Sequence, residues 1–118
     1  MPDREITSLK GDRDFRRLRK GRSAGARYLG VRWLPRRHGR LRVGIVVSSK
    51  VGNAVTRNRV RRRLREAMRE LSRTDSRWPA AGRGADLLII TRPEAAGADY
   101  HQLKAALVRA LTRSGFLR

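Results

Sequence analysis

Apolar residues recur along this chain with two different periods. Residues 26–34, "ARYLGVRWL", alternate apolar and polar positions as a half-buried strand does, and Pro35 ends the run. "LRVGIVVSSK" is apolar without interruption from Val43 to Val47 and predicts a more central strand, joined to the first as a hairpin through the turn "RRHGR". "ADLLIIT", ending at Arg92-Pro93, predicts a buried strand. Elsewhere the period is helical. Val60, Leu64, Ala67, Met68 and Leu71 share one stripe of a helix predicted over 56–72, and Tyr100, Leu103, Leu107, Ala110 and Leu111 share one on a last helix closed by Gly115. A short helix is predicted over 12–20, with Asp12 as N-cap, Phe15 and Leu18 on one face and Gly21 as the stop. Residues 74–84, rich in Gly, Pro and Ala, read as a surface loop. The expected fold is α/β, specifically an α+β two-layer sandwich: a small, mostly antiparallel four-stranded sheet with three helices, in the order α-β-β-β-α-β-α, forming a single domain over 1–118.

Charge changes this picture most. Thirty Lys and Arg against ten Asp and Glu give a net charge of +20, nearly all of the excess being arginine. A body so charged repels itself unless a polyanion lies beside it. Arginine's planar fork pairs two-pronged with phosphate and stacks on bases, so nucleic acid is the first choice of partner. The basic helix lacks the aromatics that would anchor it at a membrane surface, and no apolar run approaches the roughly 20 residues that span a bilayer. There is no cysteine, which excludes disulfides, thiolate metal sites and cysteine nucleophiles. The polar start "MPDREITSLK" lacks the apolar region of a signal peptide, and a cytoplasmic location is expected.

The segment "TRNRVRRRLREAMREL" holds seven arginines between Arg57 and Arg69, yet carries the apolar stripe as well. At about 100° per residue, Asn58, Arg62, Arg65 and Arg69 lie opposite that stripe, with Arg61 at its edge. No acid falls among them. Glu66 and Glu70 sit on a flank with Arg59 and Arg63, where a contact such as Arg62–Glu66 is expected to offset repulsion. An ordinary solvated face mixes its signs. This one reads as a rigid mount that presents arginines to phosphates.

The run "VGIVVSSKVGNAVTRNRVRRRLREAMRE", from Val43 to Glu70, resembles the signature of the protein component of bacterial ribonuclease P: a strand, a "VS-x-K-VG-x-AV" loop, the "RNR" motif and a basic helix. "LKGDRDF" resembles that family's first helix, and "ADLLIITRPEA…DYHQLKAAL" its last strand and helix. The resemblance implies a chain that assists a magnesium-dependent catalytic RNA in removing the 5′ leader of precursor tRNA. By position, Arg57, Asn58, Arg59, Arg61, Arg62 and Arg65 would meet the RNA subunit, with Arg69 continuing the same stripe. Phe15 and Lys50 would line the cleft that holds the single-stranded leader. Tyr28 or Trp33 is a further candidate platform there, although core packing is the commoner fate of such residues; the two are expected to point to opposite faces of their strand. The magnesium would be held mainly by the RNA and substrate, and the partners would be the catalytic RNA and precursor tRNA, not DNA or a membrane. The chain departs from the family pattern at Leu18-Arg19, where a second aromatic often stands, and at Ser49, where a lysine often stands.

No protein nuclease site is legible. His38 and His101 stand apart, and Asp12, Asp14, Asp86, Glu94 and Asp99 are scattered as caps and strand or loop ends. "GRG" at 82–84 lacks the following Lys-Ser/Thr of a phosphate-cradling loop. The alternative reading is a ribosomal or other structural RNA-binding protein, with a DNA-compacting protein third.

Overall fold

A computed structural model of the chain describes residues 6–8 (backbone only), 16–36, 39–80 and 83–118. Five strands form one sheet: β1 (Ile6–Ser8), β2 (Arg22–Gly25), β3 (Leu29–Pro35), β4 (Leu41–Val46) and β5 (Ala85–Thr91), in the spatial order β1-β4-β5-β3-β2. Two long helices, α1 (Ala54–Thr74) and α2 (Tyr100–Arg113), complete the α+β architecture.

The sheet is mixed rather than mostly antiparallel. β3 pairs antiparallel with β2 and β5, but β4 runs parallel to both β1 and β5. The expected hairpin between the first and second runs, β3 and β4, does not form, because β5 lies between them. The reason is burial. β5 is the most continuously apolar segment, with six of its seven residues buried, and such a strand needs a neighbour on each side and cover on each face. The chain from β4 therefore returns through α1 to a parallel partner. The four strands β2 to β5 follow the expected order around α1 and α2, and β1 adds a three-residue edge. Two long α-helices lie complete among the described residues, where three helices were expected. The predicted helix over 12–20 falls partly outside those residues, with Asp12 and Phe15; its described part is α-helical at Arg16 and Arg17 and runs into a 3-10 turn, Leu18–Lys20.

Gly21 does end that turn, for a different reason from the one expected. Its φ of −77° suits any residue, but a Cβ there would lie 2.5 Å from the Trp33 carbonyl oxygen. Another local feature resets the strand. Tyr28 has φ 77°, in a tight turn closed by the Ala26 N–H donating to the Leu29 carbonyl at 2.9 Å. The run 26–34 is thus the tip of a β2–β3 hairpin plus one strand, not a single strand. A bulky residue at positive φ costs on the order of 1 kcal/mol. Here the ring's burial and the Arg27 guanidinium, 4.9 Å from its centroid, offset that strain.

The main core fills the space between one sheet face and both helices. Leu29, Val31 and Trp33 of β3, and Leu87 and Ile89 of β5, meet Val60, Leu64, Leu71, Leu103, Leu107 and Leu111. All five apolar-stripe residues of α1 are buried, as periodicity predicts. α2 starts with a capping box, in which the Asp99 carboxylate accepts from the Gln102 N–H at 2.8 Å and the Asp99 N–H donates to Gln102 Oε1 at 2.9 Å. Gly115, at φ 85°, closes it. A smaller cluster, Leu18 and Leu88 with Leu34, covers part of the opposite sheet face.

Candidate nucleic-acid interface

The arginine helix begins two residues before its predicted start, because Asn53 caps it: its Oδ1 accepts from the Thr56 N–H at 2.9 Å. From there its apolar side fixes the rotation of every other side chain. Asn58, Arg62, Arg65 and Arg69 emerge exposed, opposite the core, and Arg61 is half-buried with Nη1 donating to Asn58 Oδ1 at 3.0 Å. Arg62 and Arg65 have no ion pair or side-chain hydrogen bond among the described residues, so the expected Arg62–Glu66 contact is not made. An exposed pair of that kind is worth only a few tenths of a kcal/mol, too little to hold two long side chains together.

The flank arginines do something else. Arg63 Nη1 donates to the Ala98 carbonyl at 2.7 Å and Arg59 Nη2 to the Ala96 carbonyl at 3.4 Å. Both tie α1 to the 3-10 turn Pro93–Gly97 and its exit. Arg59, expected from the motif to face RNA, is thus partly engaged with its own chain. Glu70 is also committed inward, accepting from the Tyr100 hydroxyl at 3.1 Å and pairing with Lys104. These bonds take Glu70 away from the outer stripe, which stays free of acid. Nε of Arg57 and of Arg59 is buried without a partner, an uncommon arrangement that leaves the guanidinium ends of a half-buried pair beside the helix N-terminus.

Lys50 lies exposed in the 3-10 turn Ser49–Val51, between β4 and α1, so the loop motif delivers it near the start of the arginine helix. Phe15 and His38 lie outside the described residues. Tyr28 is a correction: only 8% exposed, it packs in the main core with Trp33, so it is not an open platform. The two aromatics share a face because the turn at Tyr28 breaks the alternation that was expected to separate them.

The sequence reading missed the centre of the second sheet face. Asp86, read as a strand-end acid, is fully buried and surrounded by Arg17 at 2.9 Å, Arg42 at 2.8 Å and Arg36 at 3.9 Å. The one available signal was an acid inside an otherwise apolar strand. Four residues further along the same strands, beyond the buried Leu88, Val46 and Ile90 each stay 39% exposed, and the register places them opposite one another. This face therefore offers an apolar strip with arginines at one end and Lys50 beyond the end of β4. Among the described residues, no three His, Asp or Glu side chains are grouped as a metal site, and no helix is long and apolar enough to cross a membrane.

Comparison with known proteins agrees in sequence and in shape. The family model for Ribonuclease P matches residues 4–115. The ribonuclease P protein component of Thermus thermophilus is 50% identical over 117 residues, covering 99% of this chain; the chain spans 65% of that relative's length. That of Natranaerobius thermophilus is 36% identical over 115 residues, covering 97% of this chain and 95% of that one. The solved RNase P protein of Staphylococcus aureus aligns with a TM-score of 0.76 at 28% identity, covering 97% of this chain and 98% of the other. That of Thermotoga maritima aligns with a TM-score of 0.72 at 28% identity, covering 90% and 96%. A long ordered motif, a matching fold and similarity along nearly all of this chain point one way: this chain belongs to the ribonuclease P protein family.

Proposed function

We propose that this chain is the protein subunit of ribonuclease P, a tRNA-processing ribonucleoprotein. It binds the catalytic RNA through the outer stripe of α1 and holds the 5′ leader of precursor tRNA against the second sheet face. The observation that carries this reading is the stripe itself. Arg62 and Arg65 project without a partner from a helix whose other side is locked into the core, so they meet phosphates with little loss of backbone entropy. The apolar strip at Val46 and Ile90 supports the leader assignment, since single strands are held where bases find an apolar floor within a basic groove. In this reading the chain works in the cytoplasm, and the bond is broken by the RNA. In the same reading the magnesium ions belong to RNA and substrate.

The test is reconstitution. Rigorously RNA-free protein is expected to leave precursor tRNA intact, while its addition to the catalytic RNA lowers the magnesium concentration needed for cleavage. Cleavage by the protein alone, or an unchanged magnesium requirement, overturns the proposal.

A further inference from the structure

A cavity of about 520 Å³ opens where the end of β3, the start of β5, the loop after α1 and the C-terminal turn converge. Its walls are aromatic and cationic, Trp33, Trp78 and Phe116 with Arg22, Arg77 and Arg83, and no acid lines it among the described residues. Phe116 stands edge-on between the two indoles, its centroid 5.5 Å from that of Trp33 and 5.4 Å from that of Trp78. Trp33 is pinned through Nε1, which donates to the Ser114 carbonyl at 3.0 Å. The Arg22 guanidinium lies 5.6 Å from the Trp33 centroid. Asp75, close by in the chain, is already taken: Arg77 hydrogen-bonds both of its oxygens and holds its carboxyl below the usual carboxylate range. Arg22 and Arg83 form no ion pair among the described residues.

We propose that this cavity is a second, separate RNA site, which takes one nucleotide of a single strand with its phosphate on Arg22 and Arg83 and its base against Trp78. An aromatic cluster serving only as core has no need of a ring of arginines, and an inorganic anion has no need of indoles; a nucleotide uses both. The volume falls within the range of roughly 300–1,000 Å³ typical of small-ligand pockets. The site lies at the far end of α1 from Arg57. It adjoins the C-terminal end of α1, about 25 Å along the helix axis from Arg57. The inference rests on the reading that the chain binds RNA but concerns a different surface.

Both tryptophans of the chain line the cavity, so intrinsic emission reports its occupancy. The full chain is titrated with octauridylate carrying a far-red dye, following dye anisotropy for binding anywhere and tryptophan emission for the cavity. Emission is expected to change saturably. In Arg22→Gln/Arg83→Gln, which removes two exposed charges and the Arg22 contact with Trp33, the emission midpoint should move to about tenfold higher RNA, while in Arg62→Ala/Arg65→Ala it should stay in place. Anisotropy that saturates with emission unchanged overturns the cavity site and leaves RNA binding standing. An emission change that Arg22→Gln/Arg83→Gln does not weaken overturns it too. Anisotropy that never rises overturns both readings.

Discussion

Arg42 and Asp86 stand directly opposite one another on the parallel strands β4 and β5, joined by two hydrogen bonds of 2.8 Å each, Nε to Oδ1 and Nη2 to Oδ2. This forked pair organises the second sheet face, because the same carboxylate also accepts from Arg17 Nη1 at 2.9 Å. Arg17 precedes the 3-10 turn Leu18–Lys20, so the buried acid helps to hold that segment against the sheet.

Replacing Asp86 with asparagine should therefore lower stability by about 3 kcal/mol, since three guanidinium groups would then face one another without a carboxylate. Arg17→Ala should cost less, because that side chain is 45% exposed and water screens it. Urea denaturation of the two variants checks the order. Equal losses would show that Asp86 is no organising centre.

Removing the outer stripe should leave the fold intact and weaken RNA binding. Arg62→Ala/Arg65→Ala keeps every buried residue of α1, so its circular dichroism and melt should match the parent. Each lost phosphate contact should lower the slope of log affinity against log salt by roughly 0.7–0.9. An unchanged slope in the folded variant would reduce the stripe to a solvated surface.

Arg63 should behave in the opposite way. Its bond to the Ala98 carbonyl ties α1 to the turn after β5, so Arg63→Met should cost about 1–2 kcal/mol of stability while changing the salt slope less than either stripe arginine. Denaturation paired with salt titration separates structural from RNA-facing arginines on one helix. A full unit of slope lost at Arg63, with the melt unchanged, would reverse the assignment.

Leader recognition should be separable from assembly. Lys50 is exposed, so Lys50→Ala should not alter the melt, yet it should weaken reconstituted holoenzyme binding to precursor tRNA several-fold and spare mature tRNA, which has no leader. Phe15→Ala should cost roughly 1–3 kcal/mol of precursor affinity if its ring stacks on a leader base. Tyr28→Ala should instead lose about 3 kcal/mol or more of folding stability through the cavity it leaves in the core. Equal loss for both tRNAs in a folded Lys50 variant would remove the leader site from this face.

What the sequence determined by itself was local and periodic. The stripe from Val60 to Leu71 specified a helix, its buried side and, by rotation, the outward direction of Arg62 and Arg65, because helical geometry relates those positions without reference to any other element. Gly115 marked the end of α2 on the same grounds. Strand order was decided elsewhere. No local pattern says that β5 inserts between β3 and β4; that follows from competition for the one position buried on both faces. The parity of Tyr28 and Trp33 likewise hung on a single left-handed residue, whose cost only the packing around it offsets. Asp86 and the Trp33–Phe116–Trp78 cluster were illegible for a related reason. Each gathers residues far apart in the chain, and side chains with no partner in sequence acquire their roles only when the sheet brings those partners to them.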